Sequence, residues 1–515
     1  MKKKQLRWTL WTIASPFILF IILCILIYLP PIQNFLVDKA AVYASEATGM
    51  NISVGRISLS FPLNLVVTNV DAASPHNDTL LSVRRLQVNV QLLPLLKKQV
   101  EVDGISLQGA TVNSNDLIHG MRLNGTLGEL FISSHGVALD PETAIVNKVL
   151  LKDTDLSLCL NDTAAADTAA SDTTYWKIIL QDIDLQNVSF ALDMPLDSLS
   201  LAASLDNAIL RDGLIDLHKS AYSLQTFRIE NGRVRYDNGK PLAADSLSSG
   251  LDPSHIALTD IGVKLDSLYY GGRNMKAIIS QFVLKERSGV EIVSATGRMV
   301  SNDKVLRVPS LKLETRDSYL ELNVAMDWNA LDFKDEGLVS ARLMADIGKP
   351  DVVRFMGSMD EKFIRQYPSE PLRIRTGIDG DLNKLKLTTL TAELPGALGL
   401  FARGELTHLT DSLLRGGDIT LEAETKDLKF VSTLAEGIEI PYGTRLEGKF
   451  TMAGTKMGTD LLLMQPEAQA VVAADTIPIT VYNDSISVAD DFKMERAARL
   501  FAKYDLSRDR YEADL

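Results

Sequence analysis

Apolar and polar residues alternate along most of the chain, and this period of two constrains its fold more than any other feature. The stretch LQVNVQL at 86–92 is typical, because Leu86, Val88, Val90 and Leu92 alternate with amide side chains. Such a strand has one apolar and one polar face. Few amphipathic helices are present to cover the apolar faces. The sequence therefore predicts a mainly β fold whose apolar faces need some other cover.

One alternating pattern recurs, in which two apolar pairs flank a doubled polar position. Its copies are Ile52, Val54, Ile57 and Leu59; Val100, Val102, Ile105 and Leu107; Ile178, Leu180, Ile183 and Leu185; and, in part, Phe227, Ile229, Gly232 and Val234. The intervals between copies are irregular, which excludes a fixed-period solenoid. The extra residue has two interpretations. It is a one-residue bulge that keeps both apolar pairs on one face, which glycine tolerates well at position 104, or it is part of a two-residue turn. Repeated bulges would curl a long sheet.

The N-terminus predicts a membrane anchor. Residues 1–7 are basic, and residues 8–29 form a run of 22 without a charge, long enough to span a bilayer core of about 30 Å. Trp8, Trp11 and Tyr28 suit the two membrane interfaces. The positive-inside rule places residues 1–7 in the cytoplasm and the bulk of the chain on the far side. A cleaved signal peptide, with its shorter apolar core, is the alternative.

The remaining chain divides by pattern. Helical spacing of apolar residues predicts a short amphipathic helix at 32–48 and another short helix at 351–367. The segments 51–350 and 368–515 carry the strand pattern and predict two parts of one elongated β region. The Ala/Asp/Thr-rich segment 161–174 predicts a flexible loop. The chain breaks off in an alternating polar stretch, which predicts truncation of a longer protein.

Composition and motifs narrow the function classes. The net charge is −13 and the pI is about 5.1, with no basic patch, which argues against nucleic-acid binding. The six histidines are scattered, and no zinc-binding, nucleophile-elbow or phosphate-loop motif is present. The sequence therefore predicts no enzyme, no metal site and no cofactor.

Five stretches together resemble the AsmA-like superfamily and, within it, TamB-type proteins. They are the apolar run at 8–29, TGMNISVGRISLSFPLNLVVTNV at 48–70, VRRLQVNVQLLPLLKKQVEVDGISLQGATV at 83–112 with its LLPLL corner, PSEPLRIRTGIDGDLNKLKLTTL at 368–390, and GELTHLTDSLLRGGDITLEAET at 404–425. The likeness runs over most of the chain. The order of these stretches carries it, since no single motif is specific.

The resemblance implies a single-pass protein of the bacterial inner membrane with its bulk in the periplasm. It implies an elongated, curled antiparallel sheet forming a taco-like apolar groove, through which phospholipid moves toward the outer membrane during outer-membrane biogenesis. The alternative is a scaffold that helps translocate and assemble outer-membrane or secreted proteins with an Omp85-type barrel partner. The family's C-terminal signature domain has no counterpart here, so membrane lipids are the partner that the resemblance favours.

The residues expected to line such a groove are the apolar members of the alternating strands. They are Ile57, Leu59, Leu86, Val88, Val90, Leu92, Ile105, Leu107, Ile183, Leu185, Leu320 and Leu322. A different cover for the same faces is a sandwich, in which two sheets pack face to face about 10 Å apart. The two arrangements differ in whether these side chains are fully buried.

Overall fold

The chain folds into two compact units that consist mainly of strands. The computed structural model describes residues 39, 41–42, 45–46, 48–60, 64–74, 78–91, 102–114, 120–138, 142–161, 175–239, 250–334, 336–356, 361–433, 442–466, 494–505 and 510–514. Within this part the fold is mainly β, as the alternation predicts, and the helices are few and short. The first unit comprises Met1–Leu242 with Pro253–Gly272, and the second comprises Ala243–Asp252 with Arg273–Leu515.

The first unit is an antiparallel meander with one exception. Its strands are β1 (Asn51–Ser60), β2 (Asn64–Ala73), β3 (Thr79–Val90), β4 (Val102–Asn113), β5 (Met121–Ala138), β6 (Thr143–Leu160), β7 (Lys177–Met194), β8 (Leu199–Asp216), β9 (Ala221–Leu224), β10 (Thr226–Asp237) and β11 (His255–Gly271). Strands β1 to β8 pair in chain order, β10 pairs with β8 and β11, and the short β9 joins the ends of β8 and β11.

The exception is the pair β6 and β7, which run parallel. The expectation of a wholly antiparallel sheet is therefore wrong at this point. A parallel pair needs a connection that returns along the strand. The predicted loop at 161–174 lies in that connection, and beyond Asn161 it falls outside the described residues.

The second unit is an antiparallel meander throughout its described part. Its strands are β12 (Asn274–Glu286), β13 (Glu291–Ser301), β14 (Val305–Thr315), β15 (Tyr319–Asp327), β16 (Leu338–Ile347), β17 (Leu372–Asp381), β18 (Lys384–Leu394), β19 (Leu398–Thr407), β20 (Gly416–Thr425), β21 (Arg445–Ala453), β22 (Lys456–Pro466), β23 (Met494–Asp505) and β24 (Arg510–Asp514). Each pairs with the next in chain order.

Helices occupy connections between strands. They are α1 (Trp328–Leu331), α2 (Lys349–Met356) and α3 (Glu361–Gln366), with 3₁₀ turns η1 (Pro195–Asp197) and η2 (Lys429–Thr433). Two short helices therefore lie where one was predicted at 351–367. In the predicted helix 32–48, the described residues from Lys39 to Thr48 are helical. No helix among the described residues is long and apolar enough to cross a membrane, and the predicted anchor at 8–29 lies outside them.

A line of backbone kinks crosses the first unit at one level of the sheet, and we call it the first crease. Its members face one another from strand to strand: Gly55, Asn69, Arg84, Gly109, Gly128, Asp153, Asn187, Asp206 and Asn231. Positive φ angles occur at Asn69 (53°), Gly109 (62°), Asp153 (49°), Asn187 (51°) and Asn231 (52°). Glycine, asparagine and aspartate are the residues that best tolerate this left-handed conformation. The sequence thus supplies suitable residues where the kinks occur.

The first crease explains the doubled polar position of the sequence pattern. In β1, Gly55 and Arg56 are both exposed, whereas Val54 and Ile57 on either side of them are both half-buried. The strand continues through this point, and its pairing with β2 keeps one register. The extra residue is therefore not a turn, and it is not a one-residue bulge, because Gly55 is matched by Asn69 of β2. Both strands kink together, and the second apolar pair returns to the same face.

A second crease lies six residues from the first. Its members are Asp103, Asn147, Gln181, Asp212 and Gln225 in β4, β6, β7, β8 and the junction of β9 and β10. In β4 the expected kink at Gly104 is displaced by one residue. Asp103 is the residue left out of the pairing, while Gly104 is buried and keeps its partner in β3.

Candidate functional site

The creases align the apolar residues of the first unit into continuous rows. Row A runs across ten strands through Ile57, Val67, Leu86, Leu107, Leu130, Leu151, Leu185, Ala208, Ile229 and Val263. Row B runs beside it through Leu59, Leu65, Val88, Ile105, Ile132, Val149, Ile183, Leu210, Phe227 and Leu265. Each member pairs with the next, so both rows lie on one face. Every member is apolar.

The opposite face is polar beside the first crease, whereas between rows A and B it also carries Val66, Phe131, Leu150 and Ile209. The residues that follow or precede row A by one position are Arg56, Thr68, Arg85, Gln108, Glu129, Lys152, Gln186, Asn207 and Glu230. At the creases, Asn187 Nδ2 donates to Asp153 Oδ1 at 2.9 Å, and Asn147 Nδ2 donates to Gln181 Oε1 at 2.9 Å. These amides satisfy one another across strands. The sheet of the first unit is thus amphipathic along the first crease.

The large side chains of rows A and B are only partly covered. Of the twenty members, Ala208 alone is buried, at 4% exposure, while Ile105 is 36% exposed and the others are half-buried. Packing a second sheet onto this face would bury such residues completely. Among the described residues, these two rows therefore do not belong to a sealed sandwich core.

The strip formed by rows A and B is long. Ten strands about 4.8 Å apart give a length of about 43 Å. Each row occupies about two residues of every strand, so the two rows together are about 14 Å wide. The footprint of the strip, about 600 Å², is comparable with the largest apolar patch of a typical soluble monomer, about 300–600 Å², and such patches are often functional.

The second unit repeats the arrangement in its own sheet. A row through β13 to β22 comprises Ala295, Leu313, Leu320, Ala345, Ile374, Ala392, Leu400, Ala423, Leu446 and Leu463. Only Ala295 and Ala345 among them are buried. The opposite face carries cross-strand ion pairs, of which Lys384 Nζ to Glu405 Oε1 is 3.0 Å. Exposed pairs of this kind contribute about 0.2–1 kcal/mol each.

One part of the second unit shows what a covered apolar face looks like. Phe363 of α3 and Phe430 of η2 pack against Leu394 at the end of β18 and against Ala397. Phe363 is 2% exposed and Ala397 is fully buried. The chain itself therefore covers this end of the sheet, in contrast to the open rows.

The predicted lining residues fall into these rows with few exceptions. Row A contains Ile57, Leu86, Leu107 and Leu185, and row B contains Leu59, Val88, Ile105 and Ile183. Leu320 and Leu322 lie in adjacent positions on the corresponding face of the second unit. Val90 pairs with Val102 beyond row B. Leu92, Trp8, Trp11 and Tyr28 lie outside the described residues.

Sequence reasoning missed most row members in β2, β5, β6 and β8. The alternation is present in the sequence of these strands, for example at Leu130 and Ile132. It does not form the full pattern of two apolar pairs around a doubled polar position, which is the signal that identified the other strands. Within the described part of the chain, no group of three or more His, Cys, Asp or Glu side chains could hold a metal ion.

Comparison with known proteins leaves the family unassigned. No protein-family model matches the chain, and no curated protein matches it.

Proposed function

We propose that the apolar rows bind the acyl chains of phospholipids and that the protein provides a hydrophobic groove for their transport. The observation that carries this proposal is the incomplete burial of rows A and B, whose large apolar side chains are only partly covered across ten strands. Each CH₂ group moved from water onto such a surface gains up to about 0.8 kcal/mol. An acyl chain is an apolar ligand without fixed polar contacts, and a continuous apolar row suits it.

The proposal also includes the location of the protein in the cell. A protein anchored in the inner membrane by residues 8–29, with its sheets in the periplasm, would take up lipid near the anchor and pass it toward the outer membrane. The creases support a curled sheet, because kinks repeated at one level of neighbouring strands bend a sheet.

Site-specific photo-crosslinking in cells tests the proposal. A photoreactive amino acid at Leu151 in row A should form adducts with phospholipid, detected by mass spectrometry of the purified full chain. The matched control is Lys152, the exposed neighbour that points to the polar face, where lipid adducts should be absent.

The same crosslinking experiment distinguishes lipid transport from the alternative function as a scaffold for protein assembly. Adducts at Leu151 with nascent outer-membrane strands, and none with lipid, would replace lipid transport by protein assembly through strand addition. Equal lipid labelling at Leu151 and Lys152 would show that the apolar face has no special role.

A further inference from the structure

Two connections at one end of the second unit's sheet present large apolar side chains to solvent, and we call them the apolar tips. The first tip joins β15 to β16 and carries Leu331, Phe333 and Leu338, which are 51%, 65% and 57% exposed. The second tip joins β19 to β20 and carries Leu413 and Leu414, which are 78% and 65% exposed. Single exposed leucines are common on soluble proteins, whereas exposed apolar groups gathered at one place mark contact surfaces.

The strand register places both tips at the same end of the sheet. Leu338 begins β16 opposite Asp381, the last residue of β17. Leu409 of the second tip donates its N–H to the carbonyl of Leu382, in the turn between β17 and β18, at 2.8 Å. Three to four strand intervals of about 4.8 Å separate the tips, so they lie about 14–19 Å apart.

The first tip is fixed by contacts with its neighbours. Nη2 of Arg273 donates to both carboxylate oxygens of Asp332, at 3.0 and 2.9 Å, and the guanidinium lies 5.3 Å from the ring centre of Trp328. The indole N–H of Trp328 donates to the carbonyl of Asn302 at 2.6 Å. Phe333 has a φ of 60°, which is strained for a bulky residue. Strain of this kind is typical of functional sites, and the ring that it positions is exposed.

The second tip is an ordered turn as well. Asp411 Oδ1 accepts from the N–H groups of Leu413 and Leu414, at 2.8 and 3.2 Å. Nε of Arg415 donates to the carbonyl of Gly454 at 2.9 Å, and the N–H of Gly454 donates to the carbonyl of Arg415 at 2.7 Å. A fixed backbone therefore holds the two leucines in water, which is an unfavourable environment for their side chains.

The arrangement of the tips suits a bilayer better than a protein. Between the tips lies the turn of β17 and β18, whose Leu382 is buried and whose Lys384 is exposed. A protein partner would need two apolar pockets at a matching distance, whereas the fluid interior of a bilayer accepts separate apolar tips at any spacing. Trp328, Arg273 and Lys334 belong to the first tip or contact it, and tryptophan and basic side chains favour membrane interfaces.

We propose that the apolar tips insert into the interface of a phospholipid bilayer and hold this end of the second unit's sheet against it. The insertion is apolar and not electrostatic, since Arg273 and Lys334 both pair with Asp332. A zwitterionic bilayer should therefore suffice. The proposal does not depend on acyl-chain binding by rows A and B. The predicted anchor at 8–29 would keep a bilayer within reach of the tips.

Fluorescence quenching in the full chain tests this proposal. In a C24S/C159S background, a single cysteine is introduced by F333C, L414C or S369C and labelled with an environment-sensitive fluorophore. Ser369 is the matched control, because it is exposed in the connection that leads to β17 at the opposite end of the sheet. Each protein is reconstituted into dioleoyl phosphatidylcholine vesicles, with or without a phospholipid that carries a doxyl quencher on its acyl chain.

We expect the quenched fraction of the fluorescence to be at least threefold larger at positions 333 and 414 than at position 369. Adding F333N/L413N to the protein labelled at position 414 should reduce its quenched fraction at least twofold. Equal quenching at all three positions, or unchanged quenching in the F333N/L413N protein, would overturn the insertion and leave the proposed function standing. Absence of quenching at positions 333 and 414 would replace the bilayer by a protein partner.

The strain at Phe333 separates membrane contact from a structural role. Asparagine tolerates a positive φ better than phenylalanine does, so F333N alone should unfold at a temperature no lower than the wild type, as followed by circular dichroism in detergent. A variant that is equally stable but has lost bilayer contact is expected only if the ring serves the membrane. A lower unfolding temperature of F333N would assign the ring to packing and overturn its role in insertion.

Discussion

A charge placed in row B tests whether the apolar face is open. Ile105 is 36% exposed, so about two-thirds of its side chain is covered by its neighbours. Full burial of an isoleucine contributes about 1.5–3 kcal/mol, so the substitution I105D should cost about 1–2 kcal/mol of unfolding free energy on an open face. A carboxylate sealed under a second sheet would cost several kcal/mol more. Urea unfolding of the full chain in detergent, followed by circular dichroism, measures the difference.

The matched control is S106D, one residue along β4 on the polar face. It should change the unfolding free energy by less than about 0.5 kcal/mol, as surface substitutions usually do, and leave the amount of bound lipid unchanged. The I105D protein should remain folded and bind less lipid. A loss of more than about 4 kcal/mol in I105D would refute the open face, because only a sealed core imposes such a penalty.

Three further predictions follow from the kinks and connections. At the first crease, N187V should be less stable than N187G by about 1–2 kcal/mol, because a β-branched residue is strained at positive φ. Both variants lose the hydrogen bond to Asp153, so chemical denaturation of the two isolates the strain, and equal stabilities would contradict it. Deletion of 162–174 should abolish the parallel pairing of β6 with β7, because the four Cα–Cα steps that remain between Leu160 and Lys177 reach only about 14 Å. A Gly/Ser segment of equal length in place of 162–174 should preserve the pairing, and hydrogen exchange of the β6 and β7 amides measures the difference. The hydrogen bond from Arg273 lowers the pKa of Asp332; the stability it contributes is present above the usual aspartate value of about 3.9 and is lost as the pH falls through the lowered value. R273Q should therefore lower the hydrogen-exchange protection of the turn between β15 and β16 at neutral pH and weaken the further loss of protection at acid pH. A pH profile equal to that of the wild type would contradict this.

The strands could be predicted because period-two alternation is a local property of the sequence. The doubled polar position predicted either a bulge or a turn. Neither describes β1, which continues through Gly55 and Arg56 with an unshifted register to β2, whereas the register between β3 and β4 shifts at Asp103, as a bulge requires. In β4 the sequence predicts the kink at Gly104, whereas the residue left out of the pairing with β3 is Asp103. Glycine tolerates a kink but does not require one.

Pairing between strands could not be predicted in the same way. Nothing local distinguishes β7 as a parallel partner of β6, because Ile183 and Leu185 would face the same side in either orientation. The degree of burial of the apolar faces could not be predicted from the sequence either. The sequence of row A is typical of a sandwich interior, and only the structure shows that Leu151 and its neighbours in the row are not fully buried.

The two creases explain why the repeat is irregular along the chain but regular within the sheet. In β6, β7 and β8 the crease residues are six apart, as at Asn147 and Asp153 or at Gln181 and Asn187, although the connections between strands differ in length. An insertion of one residue between the creases would turn the following side chains to the opposite face and interrupt both rows. Connections carry no such constraint, because their length does not alter which face a strand residue occupies. A surface that must remain apolar from strand to strand thus fixes the spacing inside strands and leaves the spacing between copies free.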